Sequence, residues 1–296
     1  MRRYLLVRAA WQAAMLFVFI SLGYVVAFVV PKTHFPDDPG YGGFLRDLAR
    51  GSLGRSAAVQ PGVPAPSVRA YVWDASWVTL SFLLVTGVLA VALGTLFAFA
   101  TVRSPRWRPV VRSLGMIFVS LLPLWTGLYL ALYLGADWHV FRAAGYCPLR
   151  ASPDYDCHGL EPWLASLLLP AFALGIYFAG IYGRWLAAAF RNGAEEYRRD
   201  LEDGRDAAEA KRAARRRHGL AFVKLLSRDF AFAIGFGAFL EAMFGLPGLG
   251  RTVIVAAHGD APLMAGALVA ASVLAAGVTF LVDVACAARD PSFRRF

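Results

Sequence analysis

Long apolar stretches separated by short polar segments dominate this chain. A helix needs about 20 predominantly apolar residues to cross the hydrocarbon core of a bilayer, and six stretches meet or approach that length. We predict transmembrane spans at Tyr4–Val30, Trp73–Val102, Val111–Gly135, Pro162–Phe190, Asp229–Phe244 and Leu263–Ala288. The pattern therefore predicts an all-α integral membrane protein with six transmembrane helices.

The positive charge is unevenly distributed among the polar segments. With six spans both termini lie on one side, and most of the 30 Lys and Arg residues fall on that side, many of them between Arg191 and Arg228. The positive-inside rule then predicts cytoplasmic termini and a cytoplasmic 191–228 segment. The net charge of +10 is thus a topology signal, and we expect no nucleic-acid partner.

The composition excludes a soluble domain. The chain of 296 residues is 58% hydrophobic and only 17% charged, whereas soluble domains carry about 25% charged residues. The predicted organisation has three parts: a first transmembrane helix at 1–30, an external segment at 31–72, and a five-helix core at 73–296 that includes the polar segment 191–228. Within the external segment, Phe44, Leu45, Leu48 and Leu53 have roughly helical spacing, which suggests a short interfacial helix; a plain amphipathic linker fits the pattern equally well.

The 191–228 segment is long, charged and rich in strong helix formers. Ala207, Ala210 and Ala214 would give such a helix a face of small residues. Three interpretations stay open for it. A charged segment is often only a solvated surface, but a helix of this kind also suits the docking of a partner protein, and Arg215–Arg217 suit contact with anionic lipid headgroups.

The run from Glu241 to Arg251, EAMFGLPGLGR, combines a carboxylate, a proline and three glycines between two apolar segments. Glycine and proline break a helix, and in lipid such a break is tolerated only where it is buried in protein or lines a watery cavity. The run is either an ordinary loop or a re-entrant turn. Glu241 would line a solute path or, as we favour, hold the turn by accepting hydrogen bonds from its backbone amides.

Two of the three cysteines share one predicted external loop. Cys147 and Cys157 would face an oxidising compartment there, so a disulfide between them is favoured over two free thiols. A metal site with His158 has no supporting ligand spacing, and no metal is expected. Cys286 is interpreted as a small packing residue of the last span.

Several catalytic motifs are missing from the sequence. None of the three lysines, Lys32, Lys211 and Lys224, follows a glycine, so there is no phosphate-binding G-x-x-x-x-G-K-[ST] loop. Neither H-E-x-x-H nor G-x-S-x-G occurs. We therefore expect no enzyme activity and no bound cofactor in this chain, and any ATP-driven role requires a separate subunit.

The run that begins at Glu241 resembles the E-x-x-F-x-x-P-G-L-G signature of oligopeptide- and dipeptide-type ABC importer permeases. The matched positions are Glu241, Phe244, Pro247, Gly248, Leu249 and Gly250. Further likenesses are Gly51–Ser56 to a G-D-L-G-x-S motif, Asp260 to Pro262 to a D-x-P motif, and Asp283 with Arg289–Arg294 to a closing D…D-P-x-x-R. The likeness covers the whole chain in order and is strongest in the last third.

The 191–228 segment resembles the "EAA" loop of these permeases, which carries a D-Y-x-x-x-A-x-x-x-G pattern. Glu196 and Tyr197 match its start, Gly204 falls within one residue of its glycine, and the Leu-Pro that follows in the family is missing. The resemblance implies a coupling loop that docks on an ATPase subunit. The residues it assigns to this loop are Glu196, Tyr197, Leu201, Gly204, Ala207, Ala208 and Glu209.

The resemblance implies a type I ABC importer permease fold in a bacterial plasma (inner) membrane. It further implies a second, homologous permease subunit, two cytoplasmic ATP-binding subunits that use ATP and Mg²⁺, and an external solute-binding protein. The expected function is to form half of the translocation pathway for peptides or similar small solutes. A diverged homologue that acts as a membrane scaffold or sensor without transport is the alternative.

Overall fold

The structure is a computed structural model that describes residues 2–29, 40–56, 67–103, 122–149 and 157–290, with isolated positions between 104 and 121. Several predicted features lie outside the described residues. They are most of the first half of the third predicted span, from Val111 to Leu121, the parts 31–39 and 57–66 of the external segment, and the closing run beyond Asp290.

The described residues form helices joined by turns. Helix α1 spans Arg2–Tyr24 and continues as a π-helical turn over Val25–Val29. The helices that follow are α2 (Gly40–Ala49), α3 (Val68–Arg103), α4 (Pro123–Leu130, continued by a π-helical stretch over Ala131–Asp137), α5 (Leu160–Glu202), α6 (Ala207–Phe244), α7 (Leu249–Ala256) and α8 (Ala261–Arg289). Among these residues the only β-type pairing is an isolated bridge between Arg55 and Ser67.

Four helices are long and apolar enough to cross a membrane, and a fifth span is formed if a bent pair is counted as one. The four are Tyr4–Val29, α3, α5 and α8, and the pair is α6 with α7, whose axes differ by 71°. The described part of the third predicted span, Pro123–Asp137, is too short to cross a bilayer alone. The structure thus has the all-α class and several apolar helices of a multi-pass membrane protein, while six spans remain a prediction.

The polar 191–228 segment forms a helical hairpin, in which the helices of the fourth and fifth predicted spans extend beyond the apolar residues. Helix α5 runs on to Glu202, the chain turns over 203–206, and α6 begins at Ala207 and continues into the apolar region. The side chain of Asp206 caps α6 by accepting hydrogen bonds from the amides of Ala208 (3.1 Å) and Glu209 (3.3 Å). Apolarity changes near residues 190 and 229 but helix propensity does not, so each helix continues past the end of its apolar part.

Close contact of α3 with α5 forms the main core. A Cβ on Gly94 of α3 would lie 2.9 Å from the Cβ of Tyr182 and 3.1 Å from the backbone nitrogen of Gly183. Small residues at this crossing let the two backbones approach, as is usual where membrane helices pack. The large side chains of Phe82, Leu167 and Leu174 fill the space beside it and are fully buried.

Helix α2 lies in the stretch for which a short interfacial helix is predicted. Its Phe44 is buried and packs against α1, with ring centroids 5.3 Å from Tyr24 and 6.2 Å from Phe28. This aromatic cluster fixes the segment after the first span on the helix bundle.

Candidate functional site

The chain reverses direction between α6 and α7, within the glycine-rich run singled out in the sequence. Gly245 ends α6 in the left-handed conformation, with φ at +70°, which glycine adopts at low cost. The amide of Leu246 donates to the carbonyl of Glu241 (2.8 Å), and the side chain of Leu246 is fully buried. Helix α7 starts at Leu249 and leaves the turn at 71° to α6.

The carboxylate of Glu241 is the centre of this turn and is only 1% exposed. Its Oε2 accepts hydrogen bonds from the amides of Gly250 (2.7 Å) and Arg251 (3.3 Å), and its Oε1 accepts one from Oγ1 of Thr79 (2.7 Å). The same Thr79 oxygen accepts a hydrogen bond from the amide of Leu249 (2.8 Å). The first three amides of α7, which have no partner within the helix, are thus bound by two side chains from α6 and α3.

Two glycines allow this geometry. A Cβ on Gly248 would overlap the Glu241 carboxylate, and a Cβ on Gly250 would overlap the Cα and Cβ of Ala238 on α6. The glycines are needed for close approach rather than for flexibility. The guanidinium of Arg251 donates to the carbonyl of Gly245 (2.9 Å) and closes the turn from the other side.

Thr79 and Arg251 are functional residues of the turn that the sequence did not reveal. Thr79 lies 162 positions before Glu241, inside an apolar span. The only signal for it is a hydroxyl in such a span, and several other spans carry one. The charge of Arg251 is visible directly after the matched run, but the carbonyl that it binds is not.

The loop that contains Cys147 and Cys157 lies against the same turn. The structure joins the two cysteines as a disulfide, with Cα atoms 5.3 Å apart. The guanidinium of Arg142 contacts both sulfurs, and the amide of Gly145 donates to the carbonyl of Phe244 at the end of α6 (2.8 Å). The cross-linked loop is therefore tied to the glycine turn.

The residues assigned to partner docking lie on the two arms and the turn of the α5–α6 hairpin. Its tip, 201–209, is exposed at every position. Leu201 ends the first arm, Gly204 turns the chain with φ at +77°, and Ala207, Ala208 and Glu209 begin the second arm. The tip therefore consists of the end of one helix, a turn and the start of the next helix.

Charged residues join the two arms below the tip. Glu196 on α5 lies 3.5 Å from the guanidinium of Arg217 and 3.5 Å from Nε2 of His218 on α6. Tyr197 lines a cavity of about 580 Å³ between the arms. Glu196 therefore links the two arms and Tyr197 lies beside the cavity between them, whereas the tip 201–209 is exposed.

Asp283 of α8 connects three helices near the same end of the bundle. The carboxylate is 4% exposed and forms ion pairs with Arg8 of α1 and, at 3.6 Å, with Lys224 of α6. Arg184, a charged residue inside the fourth predicted span, is exposed. Cys286, one turn further on, is buried as expected for a packing residue.

Among the residues that the structure describes, no group of three His, Cys, Asp or Glu side chains is arranged to hold a metal ion. The arrangements found are a turn anchored by a buried carboxylate, an exposed helical tip and an ion-paired bundle end. They fix backbones and present surfaces.

Comparison with known proteins identifies relatives of one kind, although no family model matches the chain. A Brucella abortus protein named "Putative peptide transport system permease protein" is 26% identical over 223 residues, which cover 73% of this chain and 69% of the relative. A Brucella suis protein of the same description is 26% identical over 220 residues, covering 72% and 68%. A Sinorhizobium fredii protein named "Probable peptide ABC transporter permease protein" is 24% identical over 258 residues, covering 84% and 77%. The predicted resemblance to peptide-type ABC permeases is confirmed.

Proposed function

We propose that this chain is the membrane-spanning permease subunit of an ATP-driven importer for peptides or similar small solutes. The observation that carries the proposal is the turn after Glu241. All six fixed positions of the importer signature fall on it, and relatives named as peptide permeases align with most of the chain. The scaffold or sensor alternative is not favoured, because no named relative has such a role.

The proposed topology has six transmembrane helices with both termini in the cytoplasm of a bacterium. The excess of Lys and Arg at the termini and in 191–228 supports this orientation through the positive-inside rule. In this orientation the α5–α6 hairpin is cytoplasmic, and the glycine turn with the cysteine loop faces outward. The turn then closes the outer end of the bundle and is far from the ATPase.

The proposed complex contains a second, homologous permease subunit, two cytoplasmic ATP-binding subunits and an external solute-binding protein. ATP and Mg²⁺ would be bound by the ATP-binding subunits, since this chain has no phosphate-binding loop. This chain would contribute a conformational change. Its helix bundle would adopt two packings, and the partner subunits would determine which packing is more populated. The ion pairs of Asp283 with Arg8 and Lys224 link the hairpin arm to the first and last helices. A movement of the hairpin would therefore be transmitted to α1 and α8 at the cytoplasmic end of the bundle.

The tip of the hairpin is the proposed contact with the ATPase. It is exposed along 201–209, and it presents Leu201 beside Glu202, Asp203 and Glu209. In the proposed contact, Leu201 supplies an apolar side chain that the ATPase would bury, and the charged residues around it form the polar rim.

Replacement of Leu201, Glu202 and Glu209 together by alanine is expected to weaken ATPase binding about tenfold or more, because truncation of a central anchor typically costs about 2 kcal/mol. Gly204 and Asp206 stay unchanged, since they form the turn and the cap of α6. The measurement is co-purification of the ATP-binding subunits with the tagged permease, together with ATPase activity in nanodiscs.

Arg191→Ala with Asn192→Ala is the matched control, because both residues are exposed on the same helix well before the tip. The control is expected to bind and stimulate the ATPase like the wild type. Equal binding by the tip variant and the control would show that the ATPase docks elsewhere.

A further inference from the structure

A second cavity opens in the apolar part of the bundle, between α3, α5 and α6. It has a volume of about 550 Å³, within the range typical of small-molecule sites. Its walls are mostly aliphatic and aromatic. Among them are Leu83, Val91, Phe178, Tyr182 and Phe230. Asp229 is the one carboxylate among its lining residues, and it belongs neither to the glycine turn nor to the hairpin tip.

Asp229 differs from the other buried carboxylates of the described chain. Both oxygens of Glu241, Asp260 and Asp283 have donors or cations within reach: Glu241 binds Thr79 and two amides, Asp260 binds Ser56 and the amide of Leu263, and Asp283 binds Arg8 and Lys224. In Asp229, Oδ1 lies 3.3 Å from Nε of Arg228, whereas the buried Oδ2 has no hydrogen-bond partner within the described residues.

The neighbouring Arg228 neutralises the negative charge of the Asp229 carboxylate only in part. Its side chain is 68% exposed, whereas that of Asp229 is 7% exposed, so the guanidinium reaches the carboxylate only along its outer edge. A buried carboxylate oxygen without a partner is costly. Buried ionisable groups at or near a membrane span are candidates for binding a substrate cation or a proton.

We propose that this cavity binds the protonated amino group of the transported peptide, with Asp229 as its carboxylate. The proposal rests on the function proposed above. A primary ammonium supplies three donors for a carboxylate, and the rings of Phe178 and Tyr182 form the apolar wall beside it. A peptide's first side chain occupies that wall while its ammonium pairs with Asp229.

The test uses the importer purified with its partner subunits in nanodiscs and two probes of one size, phenethylammonium and neutral 2-phenylethanol. Binding is measured by saturation-transfer NMR for the wild type and for Asp229→Asn, which keeps the shape of the side chain and removes its charge. We expect the variant to bind the ammonium probe about tenfold more weakly or worse and the neutral probe unchanged. Equal binding of the ammonium probe by both proteins would overturn the proposal.

Arg228→Gln is the matched control, because it removes the adjacent cation and leaves the carboxylate. It is expected to bind the ammonium probe at least as well as the wild type. Loss of probe binding in this control would show that Asp229 serves only its pair with Arg228. Loss of the second permease subunit from Asp229→Asn would show that a partner's cation occupies the site, and it too would overturn the proposal.

Peptide uptake by the wild type in the same preparation separates this inference from the proposed function. Uptake without charge-dependent probe binding would overturn the inference alone. An intact complex that takes up no peptide with ATP would overturn the proposed function.

Discussion

Glu241→Ala is expected to lose about 3–5 kcal/mol of stability, the cost typical of breaking a buried charged network by removing one partner. The substitution leaves the amides of Gly250 and Arg251 and the hydroxyl of Thr79 without their acceptor in a nearly dry site. Buried backbone groups rarely stay unpaired, so α7 should detach from α6. The measurement is thermal unfolding of the purified protein in detergent, followed by circular dichroism.

Two further variants accompany this measurement: Glu241→Gln is a milder substitution at the same site, and Glu161→Ala is the control. The glutamine retains one acceptor for the amides of α7 but turns an NH₂ group toward Thr79, so we expect a smaller loss of stability. Glu161 is exposed in the first turn of α5, and its truncation should leave the unfolding transition in place. A Glu241→Ala protein as stable as Glu161→Ala would show that the carboxylate does not anchor the turn.

Gly250→Ala is expected to destabilise the protein by about 3 kcal/mol, the upper end of the range for overpacked sites. The added methyl group overlaps the backbone of Ala238 as well as its side chain, and a backbone cannot move aside as a flexible side chain can. The same unfolding measurement applies. Loss of the close contact should also release Leu246 and Leu249 from their buried positions, which would increase proteolysis at the turn.

Gly277→Ala is the control for this substitution, because a Cβ at Gly277 meets no atom within 4 Å and the residue lies in the middle of α8. Alanine there should be neutral or should stabilise the helix by about 0.5–1 kcal/mol. The account of the turn is wrong if both glycine variants unfold at the temperature of the wild type.

The sequence indicates the turn better than the contacts that hold it. Glycines, a proline and a carboxylate in one run predict a break whose amides need an acceptor, and Glu241 does accept them in the structure. Its second partner, Thr79, belongs to another helix. A single sequence carries no signal for a pair so far apart, because side-chain contacts between membrane helices depend on how the helices pack.

In the hairpin, the apolar pattern and the helix propensity end at different residues. Hydropathy predicts that the membrane part of α5 ends near Phe190, but it says nothing about where the helix itself ends, which is at Glu202. The cap at Asp206 was visible as an acidic residue before an alanine-rich stretch. The partners of Asp283 and the cavity at Asp229 were not predictable, since each joins three helices that are distant in sequence.

ATP-dependent accumulation of peptides in proteoliposomes tests the proposed permease function most directly. The complete complex, with its solute-binding protein and a labelled mixture of di- to pentapeptides, is compared with the same complex assembled without this chain. We expect accumulation that requires ATP and this chain, and that falls sharply in the hairpin-tip variant. Absence of ATP-driven accumulation in an intact complex, or equal accumulation without this chain, would contradict the account.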